Sequence, residues 1–266
     1  MSDLEDKIKK ELLKSGFPLE VFCQRTLVNN KWTVYGPQEI SINDDITKEI
    51  DILALTYYRT GRNSQIVFTL HLECKKNREN PWVFFKENKS HNDFLLVEYV
   101  NLDFSLISHK ISRVPRFPIS EMKEHHFRST PSSSIYTMAF KIGTNQIYEA
   151  VSSVISSAQF LSEFRQKHRK DRNSKNIIIS VYYLTIVFDG KLYIADVVGS
   201  DNVELSETQH LIYYHQKAEF PKHKHYNIEI VTRDYFDTYL KILNKDNETT
   251  VKLYEKLLPQ IASEKS

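Results

Sequence analysis

Three ionisable residues stand near the ends of two apolar segments that a short turn connects. Asp51 lies early in residues 50–58, and Glu73 and Lys75 lie at and just beyond the end of residues 66–74. Mg²⁺ prefers carboxylate oxygens and fills its remaining positions with water and substrate phosphate. A bound metal lowers the pKa of water and stabilises charge on a phosphodiester under attack. Two carboxylates beside a lysine therefore predict metal-assisted hydrolysis of a phosphodiester.

The spacing of these residues predicts that they meet on one face of a β-hairpin. Both segments are rich in β-branched and aromatic residues, and residues 59–65 between them carry glycine and asparagine, which favour turns. A hairpin centred near Arg62 places Asp51 opposite Glu73, eleven positions to either side. Directly opposed residues share a face, with Cβ atoms roughly 5 Å apart. Alternation gives the second strand two faces: His71, Glu73 and Lys75 on one, and Leu70, Leu72 and Cys74 on the other.

We therefore expect Asp51 and Glu73 to bind Mg²⁺, with the backbone carbonyl of Cys74 as a third oxygen ligand and Mn²⁺ as a substitute ion. Lys75 would hold the attacking water and neutralise the developing charge. The alternative is a strand pair whose charges are merely solvated at the rim of a sheet. The apolar opposite face of the second strand and the mirrored position of Asp51 favour the metal site.

This motif resembles that of the PD-(D/E)xK nuclease superfamily, in particular its Mrr-type and Holliday-resolvase-like branches. The matching positions are Glu5 on an opening helix, the segment Glu49-Ile50-Asp51 and the segment Glu73-Cys74-Lys75. Ile50 stands where the name of the superfamily has proline, a position that carries no chemistry.

The resemblance implies an α/β fold with a restriction-endonuclease-like core, in which helices flank a mixed central β-sheet. That core covers residues 1–200 with an irregular insertion over about 77–134, and residues 201–266 form a C-terminal elaboration packed on it. A helix over residues 145–164 would cover the sheet, and a strand with a later hairpin turn would occupy residues 177–195.

The resemblance also implies a metal-dependent DNA endonuclease of microbial defence, including antiviral defence, or of repair. Asp51, Glu73 and Lys75 would be its catalytic residues, and Glu5 a further metal ligand. An acidic residue at a helix N-terminus is also stabilising without any metal, and Glu11 is the competing carboxylate on that helix. We further expect a homodimer, and activation by a partner protein or a small molecule is consistent with the family. The alternative function is a non-catalytic member of the fold that binds nucleic acid or protein.

The net charge of +2 does not by itself indicate a nucleic-acid partner, so phosphate contacts must come from local clusters. Residues 165–175 and 109–128 are the two basic segments. Their candidate nucleic-acid-binding residues are Arg165, Lys167, Arg169, Lys170 and Arg172 in the first, and Lys110, Arg113 and Arg116 in the second. Contacts to phosphate would give affinity and salt dependence rather than sequence choice. In the first segment, compensation of a helix C-terminus is the alternative.

Composition indicates a cytoplasmic globular protein. The 266 residues are 41% hydrophobic and 26% charged, enough for one large domain or a core with an appendage. The sequence contains no apolar run of the roughly 20 residues that a bilayer span requires. The N-terminus is charged and lacks an apolar region, so secretion is not expected. Cys23 and Cys74 are expected to be reduced thiols.

The remaining element predictions follow from periodicity and turn residues. A helix ends at Ser15-Gly16, residues 136–164 form one or two helices, and residues 188–192 form a hairpin turn. Further strands are predicted over residues 21–30, 31–35, 191–198 and 226–231, and further helices over residues 234–243 and 248–258.

The histidine pairs do not have a recognised metal-binding spacing. His125-His126 and His223-x-His225 lack the paired spacing of a structural zinc site, and no HExxH pattern occurs. Zinc is therefore not expected. P-loop, GxGxxG and GxSxG patterns do not occur either, so nucleotide hydrolysis, dinucleotide redox chemistry and serine hydrolysis are not expected.

Overall fold

The computed structural model describes residues 3–43, 46–61, 64–87, 101–103, 124–140, 145–170, 177–199, 202–219 and 222–263. The helices are α1 Asp3–Lys14, α2 Phe17–Asn29, α3 Gln146–Lys170 and α4 Phe236–Ser263. The strands are β1 Thr33–Tyr35, β2 Gln38–Asn43, β3 Ile46–Ile50, β4 Ile52–Gly61, β5 Ser64–Phe85, β6 Asn101–Asp103, β7 Ser132–Ser133, β8 Ile135–Met138, β9 Ile177–Val197, β10 Val203–Glu207, β11 His210–Glu219 and β12 Lys222–Thr232.

Within these ranges, ten strands form one mixed sheet, and helices pack on both of its faces. The sheet runs in the order β1-β4-β5-β9-β12-β11-β7, and β2 pairs with β3 in a separate ribbon. The central neighbours β5, β9 and β12 are parallel, whereas β4 pairs with β5 and β11 pairs with β12 in antiparallel fashion. The predicted mixed α/β architecture with flanking helices is confirmed.

The hairpin of β4 and β5 has the predicted register. Ile52 pairs with Leu72, and Arg59 pairs with Gln65, so the hairpin is centred at residue 62. A register fixed in this way sets the facing of every side chain along both strands. It brings Asp51, directly before β4, level with Glu73 on β5.

Two apolar cores lie on opposite faces of the sheet. Helices α2 and α4 cover one face, where Leu27, Leu70 and Tyr239 are fully buried. Helix α3 covers the other face, where Val151 packs with Ile186. The prediction of a helix over residues 145–164 that covers the sheet is therefore confirmed.

Residues 21–30 were predicted as a strand, but residues 21–29 lie in helix α2, and Asn30 is its C-cap. Leu19, Cys23, Thr26 and Leu27 are the buried residues of this helix, and their spacing of three and four is helical. Pro18 in the first turn suits a helix start, where its missing N–H is not needed. Of the strand predicted over residues 31–35, Thr33–Tyr35 is confirmed as β1.

Three further predictions of elements were wrong. Residues 136–138 belong to strand β8 instead of a helix. The two helices predicted after residue 234 are one continuous helix, α4. Residues 188–192 form no hairpin, because β9 continues through Gly190 while it pairs with Asn77 of β5. A side chain at Gly190 would collide with the carbonyl oxygen of Asn77 and the ring of Phe188, so the glycine permits close approach and not a turn.

Part of the segment predicted as an irregular insertion, residues 77–134, forms regular strand structure. Strand β5 runs on to Phe85, with an irregularity in its pairing between Asn77 and Trp82 around Asn80-Pro81. Of residues 88–123, only β6 lies within the described ranges. On the C-terminal side, β12 extends the same sheet through β9, and α4 shares a core with α2. Among the described helices, none combines the length and apolar character that crossing a membrane requires.

Candidate active site

Asp51 marks the point at which the chain returns to the main sheet after the β2–β3 ribbon. Among the described strands, β3 pairs with β2 alone, and β4 begins to pair with β5 at Ile52. The backbone N–H of Cys74 consequently has no partner from β4, and it donates to Oδ2 of Asp51 at 2.7 Å. The N–H and C=O of one strand residue point to the same side. The carbonyl of Cys74, a predicted metal ligand, therefore lies on the Asp51 side of β5.

Glu73 is buried on the face of β5 that α3 covers. Only 6% of it is exposed. Its Oε1 lies 2.6 Å from Nζ of Lys75, and its Oε2 accepts a hydrogen bond from Ser153 Oγ of α3 at 2.7 Å. Asp51, Glu73 and Lys75, the three predicted catalytic residues, are thus brought together where β4 begins. His71 shares the same face, since its Nδ1 contacts Ser157 of α3.

Both carboxylates are held in surroundings that disfavour their charge. Burial raises the pKa of Asp51, opposed by the hydrogen bond from Cys74 and by Lys75. Burial and the neighbouring Asp51 raise the pKa of Glu73, opposed by Lys75 and Ser153. Because burial disfavours the charge of both carboxylates, and Asp51 adds to that cost for Glu73, a cation bound between them would stabilise both ionised forms. This arrangement fits a divalent metal ion.

Lys75 is the cation that already neutralises part of this charge. Burial would lower its pKa, but the carboxylates of Glu73 and Asp51 outweigh burial and raise it. Lys75 is therefore a protonated ammonium that forms an ion pair with Glu73. Glu149 of α3 adds to its stabilisation.

A carboxylate that the sequence did not single out lies near the same site. Burial, together with Asp51 and Glu49, raises the pKa of Glu20 on α2, and Lys75 lowers it. Glu20 was missed because no helix was predicted after Gly16, and the residues that follow Glu20 were predicted as a strand. A helical prediction for residues 17–29 would have placed this carboxylate on an element beside the sheet.

Glu5, the predicted further ligand, is exposed on α1. The C-terminal end of α1 does approach the site, since Lys76 Nζ donates to the carbonyl of Leu13. Glu5 lies two turns earlier, about 12 Å along the helix axis from Leu13.

Cys74 faces away from the charged residues, as predicted. Its Sγ lies 3.7 Å from Sγ of Cys23 on α2, inside the apolar core. Burial and the adjacent Cys23 raise the pKa of the Cys74 thiol well above its ordinary value. Both cysteines are buried free thiols. The alternation that places Glu73 and Lys75 on the opposite face of β5 is thereby confirmed.

The structure describes only part of the predicted phosphate-binding surface. Arg165 packs against the sheet, with Nη1 3.2 Å from Thr69 Oγ1 and its guanidinium 5.5 Å from the ring centre of Tyr182. Lys167, Arg169 and Lys170 lie in α3, but their side chains are outside the described part. Arg172, Lys110, Arg113 and Arg116 lie outside the described residues altogether. Nucleic-acid contacts by these residues stay a prediction.

The predicted metal ligands can be matched to atoms of this site. Oδ2 of Asp51 is engaged by Cys74, so Asp51 would bind a metal through Oδ1. Glu73 would bind through Oε1 after Lys75 moves aside, while Ser153 keeps Oε2 in place.

Comparisons of the chain with models of known protein families, with curated proteins and with solved structures find no match.

Proposed function

We propose that this protein is a metal-dependent nuclease, most directly a Mg²⁺-dependent DNA endonuclease with a restriction-endonuclease-like core. The observation that carries the proposal is the convergence of Asp51, Glu73 and Lys75 where β4 enters the sheet. The order of elements supports it as well: a helix, an antiparallel hairpin, a covering helix and a parallel strand follow one another in the chain.

Each residue of the site has a definite task under this proposal. Bound Mg²⁺ would supply Lewis-acid activation of water and stabilise charge on the phosphodiester. Asp51 and Glu73 hold the ion, and Ser153 and the N–H of Cys74 fix the two carboxylates. Lys75, released from Glu73, orients the attacking water and neutralises the developing negative charge.

The charges around the site also suit a nucleic-acid substrate bound through a cation. Asp51, Glu73, Glu20 and Glu49 outnumber Lys75 at this end of the sheet. A bare polyanion would be repelled by this charge, so the metal must bind before the phosphate can approach. Dependence on added divalent metal is therefore an expected property of the reaction.

The experiment is a cleavage panel on supercoiled, linear and single-stranded DNA and on RNA. Each substrate is incubated with the full chain in Mg²⁺, in Mn²⁺ and in EDTA. We expect cleavage of at least one DNA substrate in either metal and none in EDTA. Cleavage that persists in EDTA, or that Asp51→Asn and Lys75→Met leave intact, would contradict the proposal. Lys191→Met is the matched control, because it removes a lysine from the exposed ion pair with Glu207.

One observation favours the alternative of a non-catalytic binding module. Both oxygens of Glu73 are already occupied, one by Lys75 and the other by Ser153. If Lys75 and Ser153 stay bound to Glu73, this carboxylate cannot bind a metal, and the fold would bind nucleic acid without cutting it. Retention of DNA in a mobility-shift assay, with no cleavage under any metal of the panel, would identify this alternative.

A further inference from the structure

A second cluster of ionisable side chains is buried far from the hairpin in sequence. His126, in the 3-10 turn His126–Arg128, lies between two carboxylates. Its Nδ1 contacts Oδ2 of Asp246 on α4, and its Nε2 is 2.7 Å from Oε2 of Glu229 on β12. None of these three residues is more than 5% exposed.

A second histidine reaches the same carboxylate oxygen. His210, at the start of β11, places Nε2 3.0 Å from Oε2 of Glu229. Tyr239 of α4 donates to Oε1 of Glu229 at 2.9 Å, which fixes the orientation of this carboxylate. Two imidazole nitrogens therefore converge on one carboxylate oxygen that is already held in place. The ligand atoms of His126, His210 and Glu229 lie within 4.8 Å of one another.

A cavity connects this cluster with the outside. Its volume is about 640 Å³, and its lining includes His126, His210 and Asp246 together with Thr208, Tyr235 and Lys245. Both histidines of the cluster can thus be reached from the cavity, whereas Glu229 lies behind them with only 1% exposed. A small ligand entering the cavity would meet the two imidazoles first.

The donor set has the chemistry of a transition-metal site. Two imidazoles and one carboxylate form a known ligand set for zinc, with a fourth position left for water. Imidazole donors favour zinc-class ions over Mg²⁺. A tetrahedral site with bonds of about 2.0–2.1 Å separates its ligand atoms by about 3.3 Å. Oε2 of Glu229 lies 2.7 Å from Nε2 of His126 and 3.0 Å from Nε2 of His210. These two nitrogen–oxygen distances would need to lengthen by only a few tenths of an ångström.

The surroundings of the ligands also match such a site. A metal-binding histidine usually donates its other N–H to a carboxylate, which fixes its orientation. Asp246 occupies this position on His126. Coordination through Nε2 would displace the proton on that nitrogen to solvent, while Nδ1–H stays bonded to Asp246.

We propose that His126, His210 and Glu229 form a binding site for a divalent transition-metal ion of the zinc class, with Asp246 orienting His126 and the cavity supplying the fourth ligand. This site is separate from the carboxylate pair at the hairpin. Glu229 pairs with Thr185 of β9, and Glu73 pairs with Ile186 of β9. The two carboxylates are therefore two strands apart, about 10 Å. They also face opposite sides of the sheet, towards α4 and α3 respectively.

The test measures metal binding by the full chain carrying Asp51→Asn and Glu73→Gln, so that the hairpin carboxylates do not contribute. The protein is freed of metal by chelation and titrated with Co²⁺, followed by its visible absorption, and with Zn²⁺ in competition. We expect one equivalent of Co²⁺ with the intense bands of a four-coordinate ion, displaced by Zn²⁺. A protein that binds neither ion would overturn the proposal.

Variants assign the binding to these residues. His210→Gln should abolish the Co²⁺ spectrum, and Asp246→Asn should weaken Co²⁺ binding about tenfold or more. His215→Gln, a histidine of β11 outside the cluster, is the control and should bind Co²⁺ unchanged. Far-UV circular dichroism establishes that each variant is folded, and Asp246→Asn decides the question should His210→Gln not fold. Binding in either variant as tight as in the control would overturn the proposal.

Discussion

At the scale of single residues, Asp51 has two separable tasks. Its Oδ2 accepts the hydrogen bond that the N–H of Cys74 cannot give to a neighbouring strand, and its charge is available to a metal. One carboxylate therefore has both a structural role and a chemical role. For Glu73, Lys75 balances the charge, and Ser153 holds Oε2 in position.

Substitutions of Asp51 should separate these tasks. Asp51→Asn keeps an oxygen that accepts from Cys74, so its stability should stay near that of the wild type. Asp51→Ala leaves a buried N–H without a partner and should lower the free energy of unfolding by about 1–3 kcal/mol. Both variants should lose cleavage activity. Urea unfolding measures the difference, and equal stability of the two variants would show that the Cys74 hydrogen bond contributes nothing.

At the scale of elements, the sequence predicted the hairpin better than the helices around it. The turn between β4 and β5 and the alternation of their side chains both specify one register, so local signals agree there. Helix α2 carries branched and aromatic residues that suit either state, and only its packing on the sheet decides between them. Gly190 was taken for a turn because the close approach of Asn77 involves a strand distant in sequence.

A substitution at Gly190 tests whether the close approach of Asn77 requires a glycine. Gly190→Ala should lower the free energy of unfolding by about 1–3 kcal/mol, because the added methyl group would collide with Asn77 and Phe188. Gly36→Ala is the matched control, since a side chain there meets nothing within 4 Å. Thermal unfolding of both variants provides the measurement. An unchanged melting temperature for Gly190→Ala would mean that β5 and β9 are farther apart than described.

At the scale of the whole molecule, the sheet separates two groups of ionisable residues. The hairpin group was within reach of sequence reasoning, because Asp51, Glu73 and Lys75 lie within one short segment. The histidine group was not, because His126, His210, Glu229 and Asp246 come from segments up to 120 residues apart. The pairing of β11 with β12 and the packing of α4 against the 3-10 turn of His126 bring them together.

The basic residues at the end of α3 and just beyond it lead to a prediction about DNA binding. Replacing Arg169, Lys170 and Arg172 together with Gln should weaken DNA binding similarly for all sequences, because these side chains would contact phosphate. The logarithm of the binding constant falls linearly with the logarithm of the salt concentration. Each lost contact should reduce the magnitude of that slope by roughly 0.7–0.9. Binding measured by fluorescence anisotropy over a range of salt concentrations tests this expectation.

A control with the same loss of charge is needed for that experiment. Lys241→Gln, Lys252→Gln and Lys256→Gln on α4 together remove three positive charges from exposed positions. This control should keep most of the salt slope of the wild type. If both triple variants lose the same slope, net charge is responsible, and Arg169, Lys170 and Arg172 make no specific contacts with phosphate.

The rate of cleavage of supercoiled DNA in Mg²⁺, compared between Glu73→Gln and Glu79→Gln, tests the central claim most directly. The two substitutions are chemically identical and lie on the same strand, but Glu73 is buried in the site and Glu79 is exposed. We expect Glu73→Gln to cleave at least about 10²–10³-fold more slowly than the wild type, because the metal and its charge stabilisation are lost. Glu79→Gln should cleave at a rate close to that of the wild type. Equal rates for the two variants would contradict a metal-dependent active site at Asp51, Glu73 and Lys75.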